Sequence, residues 1–389
     1  MKVAIVRGSN MNPFEMQSYE PLASSYDLTG YASLINNYDI SRIRFPIRRL
    51  HIAEEYYEGL PWPLSSLGYG ALLPYGMNYR MFGLEKEIDG VDIIHAAETY
   101  NGYSYQGARV RNRQKKRLVL TIWENVPFLS CRTFRGLWGN EKVVRYVRDS
   151  ADLFIAITER AGKALAIEGV SQDRIRVIPA GVDTDRFAPG KPDEAMADRL
   201  HVTGDDLVVL FVGRLTREKG VYDLIYAAKL ASADPELRSV KFLIAGEGSE
   251  KQRLVSLIKM LGIDDKVKLI GNFSYQDMPK VYSVVDAFIL PSIPVQWWQE
   301  QFGMVLVEAM ASGLPIISTM SGSIPEVVGD AGILVQPGDP VSIYGAIKNL
   351  ASDGARLRHL GRMSRHRAEK EFDIRRISGM IGDAYRELE

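Results

Sequence analysis

Short apolar runs alternate with longer amphipathic segments along most of the chain, and this alternation predicts parallel sheets covered by helices, an α/β fold. The runs are continuously apolar, as expected for strands that are buried on both faces. Helices are predicted between them, for example over Val221–Ala231 and Ser249–Leu261. Eleven runs are predicted to be strands: Lys2–Arg7, Val91–His95, Arg117–Trp123, Asp152–Thr158, Arg174–Ile178, Leu207–Val212, Lys241–Ala245, Lys266–Ile270, Ala287–Pro291, Pro315–Ser318 and Gly332–Val335.

The first half also contains a long segment, from about Asn10 to Gly76, that is dense in Pro, Gly, Tyr and Trp. Its Pro61–Pro63 and Pro74–Gly76 stretches predict turns, and the whole segment is predicted to be irregular. Long loops in compact domains are usually functional or disordered, and the aromatic content argues against disorder. Both a binding role and a packed cover over the sheet are consistent with this composition.

A stretch rich in Pro and Gly, Pro179 to Pro192, predicts the boundary between two domains. The 389 residues are too many for one ordinary core. We therefore predict an N-terminal domain over 1–182 and a C-terminal domain over 183–372. Apolar residues at helical spacing predict a last helix within 373–389 that joins the N-terminal domain.

The amino-acid composition excludes several classes of function. The 48 basic and 48 acidic side chains cancel, so the whole molecule has no field that would attract nucleic acid. A single cysteine, Cys131, excludes an internal disulfide, fits a reducing compartment and is best explained as a packed thiol. Met1–Val6 is too short for the core of a signal peptide, and no apolar stretch reaches the roughly 18 residues of a membrane span. These features favour a cytoplasmic protein.

The most informative motif is Gly213–Gly220, with the sequence GRLTREKG. It follows a predicted strand and precedes a predicted helix, which is where open α/β sheets bind phosphate groups. Arg214 offers a planar fork of donors and Lys219 a point charge, so together they could neutralise a diphosphate. The alternative is a solvated basic turn, which the two flanking glycines make less attractive.

Two carboxylates, Glu300 and Glu308, lie eight positions apart in a second motif, EQFGMVLVE. Apolar residues at helical spacing predict a helix that begins near Phe302, with Glu300 in the loop before it. Glu308 then lies at the edge of an apolar face and needs a hydrogen-bond partner, such as a ribose hydroxyl. Gly303 would let the helix N-terminus approach a ligand closely. The alternative is a solvent-facing Glu308 and a Glu300 that only caps the helix.

These motifs occur together in one order: GRLTREKG, AGEG at Ala245–Gly248, the Glu300–Glu308 block, ASGLP at Ala311–Pro315, and GSIPE at Gly322–Glu326. Each motif alone is weakly specific. In this order and spacing the chain resembles glycosyltransferase family 4, from Val208 to about Gly338, and the hinge AGVD at Ala180–Asp183 also fits. The resemblance implies a GT-B fold, in which two doubly wound Rossmann-like domains face a central cleft.

The resemblance also implies a function, namely a retaining glycosyltransferase (hexosyltransferase class) that uses a nucleoside-diphosphate sugar and no cofactor. By matched position, Arg214 and Lys219 would hold the donor diphosphate, and Glu308 the ribose hydroxyls. Glu300 would lie against the donor sugar, close to the amides of Gly303 and Met304. The strand end Ile270–Phe273, which includes Gly271, would border the base.

A sequence of the form Asp-x-Asp, which metal-dependent transferases of another fold use, occurs at Asp183–Asp185. It lies in the predicted hinge, where a turn is the better explanation. Since Arg214 and Lys219 already supply positive charge, no metal is expected.

The first half departs from the family pattern. Trp123 stands where many members carry a His after a central strand, so the usual catalytic His is in doubt. Glu124 is favoured as a polar residue of the cleft, and His95, Glu98 and Asn125 are further candidates. His95 is a candidate catalyst, although a histidine in this position more often has a structural role.

The run Arg109–Arg117 contains no acid. It suggests either peripheral contact with an anionic membrane, which would suit a lipid-linked acceptor, or a solvated helix end, which we prefer. The acceptor itself, whether a saccharide, a glycolipid or a small molecule, is not specified by the sequence.

Two alternative functions remain open: a nucleotide-sugar epimerase, and a nucleotide-sugar-binding protein without transfer activity. A dinucleotide oxidoreductase is disfavoured, because no complete GxGxxG follows a first strand.

Overall fold

The computed structural model describes residues 1–53, 55, 79–129, 141–204 and 206–389. The predicted turns at Pro61–Pro63 and Pro74–Gly76, and Cys131, lie outside these residues. The chain divides into two compact units. The first comprises Met1–Gly181 together with Ile374–Glu389, and the second comprises Val182–Asp373.

The first unit contains a seven-stranded parallel sheet in the order β3-β2-β1-β4-β5-β6-β7. Its strands are β1 Lys2–Gly8, β2 Asp27–Ser33, β3 Ile47–Leu50, β4 Ile93–Ala97, β5 Arg117–Ile122, β6 Leu153–Ala156 and β7 Ile175–Val177. Within the described residues its α-helices are Pro13–Met16, Leu84–Glu87, Gly102–Gln114, Glu141–Ser150, Glu159–Ile167 and Ile374–Arg386.

Both faces of this sheet are buried. Successive side chains of a strand point to opposite faces, so neighbouring residues of β1 show what covers each face. Val3 and Ile5 belong to one buried cluster, and Ala4 and Val6 to another. The C-terminal helix Ile374–Arg386 contributes Ile377, Ile381, Ala384 and Tyr385 to the cluster that contains Val3 and Ile5. The predicted two-sided burial is therefore confirmed for this sheet.

The second unit contains a six-stranded parallel sheet in the order β10-β9-β8-β11-β12-β13. Its strands are β8 Leu207–Val212, β9 Val240–Ala245, β10 Val267–Gly271, β11 Ala287–Leu290, β12 Ile316–Thr319 and β13 Gly332–Val335. Its α-helices are Glu194–Leu200, Val221–Ala233, Lys251–Leu261, Met278–Tyr282, Met304–Ala311, Ile324–Val328, Pro340–Ser352 and Gly354–Glu371.

The strand order of each sheet reverses at one point, between β1 and β4 in the first unit and between β8 and β11 in the second. In a doubly wound sheet the loops that leave the two strands at this switch point separate, and the crevice between them is where ligands bind. The α/β fold predicted from the sequence is confirmed, and every predicted strand has a counterpart in the structure.

The prediction that Asn10–Gly76 is irregular was wrong, because β2 and β3 lie within it. β2 contains Gly30, which is a weak strand former, and a Cβ at this position would lie only 3.1 Å from the ring of Phe45, so the position favours glycine. β3 is an edge strand whose Arg48 and Arg49 are exposed, and charged edges of this kind do not resemble buried strands.

No helix in the described ranges is long and apolar enough to cross a lipid bilayer.

A buried guanidinium lies at the switch point of the first unit. Arg7 Nε is 2.8 Å from Glu15 Oε1, and both side chains are almost fully buried. Arg7 also donates to the carbonyl of His95 at 3.1 Å and to the hydroxyl of Tyr19 at 3.0 Å. Since the groups around it satisfy this cation, Arg7 is part of the core of the first unit.

We predict that Glu15→Ala lowers the free energy of unfolding by about 3–5 kcal/mol, because it leaves the Arg7 charge buried without its counterion. Chemical denaturation followed by circular dichroism measures this change. The control is Glu141→Ala, which removes an exposed ion pair with Arg145 and should change stability little. Equal effects of the two substitutions would contradict the prediction.

Candidate functional site

The loop that follows β8 is held in place by its neighbours. The backbone amide of Gly213 donates to Ala245 O at 3.0 Å, and that of Leu215 donates to Glu247 O at 2.8 Å. The side chain of Leu215 is buried, which pins the middle of the loop. Arg214 precedes Leu215 and its side chain is 66% exposed, with Glu218 3.6 Å away. The loop is thus rigid while its first cation stays accessible.

Glycines let this loop pack against the loop that follows β11. Gly220 has φ +70°, and a Cβ at this position would lie 1.8 Å from the carbonyl oxygen of Pro291. The amide of Ile293 donates to Glu218 O at 2.8 Å. The two loops that leave β8 and β11 are therefore in direct backbone contact beside the switch point.

Lys219 and Glu300 join the same two loops through their side chains. Lys219 Nζ lies 2.8 Å from Glu300 Oε2, and the side chains are only 14% and 6% exposed. Ser292 Oγ donates to the same carboxylate oxygen at 2.7 Å. Lys219 Nζ also lies 4.6 Å from the centroid of the Trp298 ring, a cation–π distance. The structure thus brings together one cation and one carboxylate that the sequence analysis assigned to a donor site.

The backbone of Glu300 is also constrained. The amide of Ser323 donates to Glu300 O at 2.9 Å. Gly322 has φ +56°, and a Cβ there would lie 2.1 Å from the same carbonyl oxygen. The close approach of the loop after β12 therefore fixes the position of Glu300.

Glu308 lies on the helix Met304–Ala311 and is only 4% exposed. The Tyr282 hydroxyl donates to Glu308 Oε2 at 3.0 Å. Burial raises the pKa of Glu308 to about 8, and the Tyr282 hydrogen bond and the charge of Arg186 act in the opposite direction. The alternative of a solvent-facing Glu308 is excluded.

The helix begins at Met304, two residues after the predicted start. Gly303 adopts the left-handed conformation with φ +81°, which is incompatible with the first turn of a helix and makes it the N-cap. Phe302 is buried and packs edge-on against Phe372 at 5.7 Å. Gly303 and Met304 therefore lie at the helix N-terminus that follows Glu300.

Gly271 ends β10 at the same carboxyl edge of the sheet, with φ +72°. Its carbonyl accepts a hydrogen bond from the amide of Gly246 at 2.9 Å. Because β9 lies between β10 and β8, Gly271 is two strands away from the Lys219 loop.

His95 belongs to the core of the first unit. Its Nδ1 is 2.6 Å from the Tyr385 hydroxyl, its Nε2 is 2.7 Å from Thr121 Oγ1, and no part of it is exposed. Burial and the charge of Arg7 lower the pKa of His95 well below its usual range. Both ring nitrogens are engaged, so the structure corrects the assignment of His95 as a candidate catalyst.

Glu98 and Glu124 shape the turn that follows β5. Glu98 Oε1 accepts from the amides of Trp123 at 2.8 Å and Glu124 at 3.2 Å. Glu124 Oε1 accepts from the amides of Asn125 and Val126, both at 2.9 Å. Burial, reinforced by the charge of Glu124, raises the pKa of Glu98 to about 8. In this conformation both carboxylates bind backbone amides of the same turn.

The Asp-x-Asp sequence forms a turn. Asp183 Oδ1 accepts from the amides of Asp185 and Arg186, both at 3.1 Å. Thr184 donates its hydroxyl proton to Asp373.

Arginines of the basic run Arg109–Arg117 bind acids elsewhere in the first unit. Arg109 and Arg113 pair with Glu85, and Arg111 pairs with Asp152. These pairs agree with the interpretation of the run as the end of a solvated helix.

Two residues of the site, Ser292 and Tyr282, were not predicted from the sequence. Each directly contacts a predicted carboxylate, Glu300 or Glu308. Ser292 follows a predicted strand at the carboxyl edge of the sheet. That position was the only feature of the sequence that could have indicated its place in the site.

Two family models match the chain. The model described as Glycosyl transferases group 1 matches residues 193–367, and the model described as Glycosyltransferase Family 4 matches residues 49–186. The first lies within the second structural unit and contains Lys219, Tyr282, Ser292, Glu300 and Glu308.

Curated relatives agree with these matches. The D-inositol 3-phosphate glycosyltransferase 1 of Catenulispora acidiphila is 34% identical over 310 residues, which cover 76% of this chain and 72% of the relative. The D-inositol 3-phosphate glycosyltransferase of Salinispora tropica is 30% identical over 331 residues, which cover 80% of this chain and 63% of the relative. The chain therefore spans less than two thirds of the length of the second relative.

Solved structures share the fold. The crystal structure of Anabaena Alr3699/HepE in complex with UDP-glucose superposes with a TM-score of 0.77 at 21% identity, and the alignment covers 100% of both chains. At this identity the likeness shows the fold, which is the predicted GT-B fold with two Rossmann-like domains.

We predict that Gly322→Ala lowers the free energy of unfolding by more than about 1 kcal/mol, because the new Cβ meets Glu300 O and the backbone is left-handed. Thermal and chemical denaturation measure the loss. The matched control is Gly345→Ala in the helix Pro340–Ser352, where a Cβ has no neighbour within 4 Å. That change should stabilise the protein by up to about 1 kcal/mol. A Gly322→Ala variant as stable as wild type would show that the loop contact with Glu300 is not rigid.

Proposed function

Because the chain belongs to glycosyltransferase family 4, we propose that it is a retaining, metal-independent glycosyltransferase. It transfers a sugar from a nucleoside-diphosphate sugar to a hydroxyl of an acceptor. The observation that carries this proposal is the contact of two loops at the switch point of the second sheet, where Lys219 binds Glu300 and Arg214 stays exposed.

The diphosphate of the donor binds to the loop Gly213–Gly220 in this proposal. Lys219 carries a single positive charge, and Glu300 already pairs with it, whereas each phosphate of the donor adds a negative charge. A second cation is therefore needed, and Arg214 supplies it. A guanidinium forms two parallel hydrogen bonds to phosphate oxygens, which gives direction as well as charge. The weak contact of Arg214 with Glu218, at 3.6 Å, leaves it available for this role.

The remaining donor contacts follow along the same edge of the sheet. Glu300 binds hydroxyls of the donor sugar, and the amides of Gly303 and Met304 lie beside it at the helix N-terminus. Glu308 binds the ribose hydroxyls, because a buried carboxylate with one protein donor has acceptor capacity left. The base lies near Gly271, where the backbone at the end of β10 contacts it.

The same groups promote the reaction. As the bond between sugar and diphosphate breaks, negative charge accumulates on the leaving diphosphate and positive charge on the sugar. Arg214 and Lys219 stabilise the first, and the carboxylate of Glu300 lies close to the second. These interactions are catalytic to the extent that they strengthen in the transition state.

The acceptor proton passes to the leaving diphosphate. This route suits a chain in which Trp123 stands in place of a His and His95 is enclosed in the core. It places the nucleophilic hydroxyl on the same face of the sugar as the departing phosphate, so the anomeric configuration is retained. Glu124, on the first unit, is a candidate to bind the acceptor.

The relatives indicate which substrates to test first. UDP-glucose is bound in the Anabaena structure, and the curated relatives are named for D-inositol 3-phosphate. We therefore propose a carbohydrate, lipid-linked or small-molecule acceptor that carries free hydroxyls. The proposal does not extend to membrane contact through Arg109–Arg117, because three of these arginines bind acids of the first unit.

We predict that Arg214→Ala weakens binding of the preferred nucleoside diphosphate and lowers the transfer rate by about 100-fold or more. Calorimetry with UDP, GDP and ADP, with the monophosphates alongside, measures the binding. The matched control is Arg217→Ala in the same loop, since that guanidinium lies by Glu250 and over the Tyr222 ring, and its loss should change binding little. Diphosphate binding that is indifferent to Arg214, or absent from the wild type, would refute the proposed site.

We predict that transfer continues at an undiminished rate in excess EDTA and that the product has the anomeric configuration of the donor. The reason is that Arg214 and Lys219 supply the positive charge that a metal ion provides in other transferases. The ¹H coupling constant of the anomeric proton in the product reports the configuration. A rate that falls in EDTA and recovers with Mg²⁺ or Mn²⁺ would refute metal independence, and an inverted anomer would refute retention.

A further inference from the structure

Glu308 has a single side-chain partner in the described part of the chain. Tyr282 donates to its Oε2 at 3.0 Å, while the carboxylate as a whole accepts up to four hydrogen bonds. Burial makes unused acceptor capacity costly. The carboxylate is therefore held by one oxygen and still has acceptor sites for a ligand.

The Tyr282 hydroxyl is held in place by the core. The residue is 1% exposed, and its ring packs edge-on against Phe187 and Phe288, each with ring centroids 6.0 Å apart. Burial and the neighbouring Glu308 raise the pKa of Tyr282 well above its usual value, so it keeps its proton and acts as the donor. A fixed donor of this kind determines the rotation of the carboxylate it binds.

We propose that Tyr282 is a positioning residue, which orients the Glu308 carboxylate toward the 2′- and 3′-hydroxyls of the ribose and so makes the donor site selective for ribonucleotides. The inference rests on the proposed function, because Glu308 is assigned there to the ribose. Tyr282 itself does not touch the nucleotide in this proposal. It acts by holding one carboxylate oxygen so that the other meets the two neighbouring hydroxyls.

Ionisation of Glu308 supports the same arrangement. A carboxylate accepts from two hydroxyls, whereas a protonated carboxyl loses part of that capacity. Two groups favour the ionised form, Tyr282 through its hydrogen bond and Arg186 through its charge. Removal of the Tyr282 hydroxyl therefore raises the pKa of Glu308 further and leaves less carboxylate at neutral pH.

The test compares wild type and Tyr282→Phe in calorimetric binding of the preferred nucleoside diphosphate and of its 2′,3′-dideoxy analogue. Tyr282→Phe should weaken binding of the ribonucleotide by about tenfold, the value of one hydrogen bond to a charged group, and leave the dideoxy analogue unchanged. The matched control is Tyr344→Phe, which removes another hydroxyl–carboxylate bond of the same unit, the 2.6 Å bond to Asp234. It should leave both affinities unchanged.

Equal weakening of both nucleotides by Tyr282→Phe would show a structural role and overturn the inference, as would no weakening of either. A second measurement does not depend on the stability of the variant. In wild type the preference for the ribonucleotide should increase as pH rises through about 8, because Glu308 ionises there. A preference that is constant between pH 6 and pH 9 would also overturn the inference.

Two outcomes separate this inference from the proposed function. If wild type binds none of the diphosphates, both fail. If wild type binds one of them and Glu308→Gln abolishes the preference for ribose while Tyr282→Phe keeps it, then Glu308 binds the ribose without help from Tyr282. In that case the proposed function stands and the inference about Tyr282 fails.

Discussion

The ion pair between Lys219 and Glu300 is the interaction on which the second unit's site depends. A parallel sheet separates the loops after β8 and β11, because these strands begin connections that run in opposite directions from the switch point. The 2.8 Å contact brings one charged residue of each loop together again. Its burial makes each charge dependent on the other, since either one alone would be costly to keep out of water. Ser292 then holds the carboxylate by a hydrogen bond, and the close approach of Gly322 fixes the backbone of Glu300.

The two sheets share one topology but use their switch points differently. In the first unit the cation at the end of β1, Arg7, is enclosed and bound by Glu15 and Tyr19. In the second unit the cation that follows β8, Arg214, remains exposed. The same strand order therefore produces a sealed polar core in one case and an open charged loop in the other. The difference lies in whether an acid from a neighbouring element reaches the cation.

Regular features of this fold could be predicted because they depend on residues close in sequence. Continuous apolar runs identified eleven of the thirteen strands found in the described part of the chain. The strand–loop–helix order placed Arg214 and Lys219 at a carboxyl edge. β2 and β3 were not predicted because their residue types are determined by the surroundings of each strand and not by strand propensity. Gly30 makes room for Phe45, and Arg48 and Arg49 belong to an exposed edge.

The contacts of the candidate site could not be predicted either, because they join residues that are far apart in the sequence. Lys219 and Glu300 are 81 positions apart, and Tyr282 and Glu308 are 26 apart, so their pairing depends on how the sheet is assembled. For His95 the sequence suggested a catalytic role that the structure does not support. Its position at a strand end suggested chemistry, but its partners, Thr121 and Tyr385, come from distant parts of the chain and enclose it.

The return of the helix Ile374–Arg386 to the first unit has a consequence for biosynthesis. Its residues complete the cluster around Val3 and Ile5, and Tyr385 supplies the bond to His95 Nδ1. A ribosome releases the N-terminal part of a chain first, and domains usually fold in that order. Here the first unit lacks residues 374–389 until the end of synthesis, when all residues of the second unit have already been synthesised. The core of the first unit is therefore completed by residues that are synthesised after the whole of the second unit.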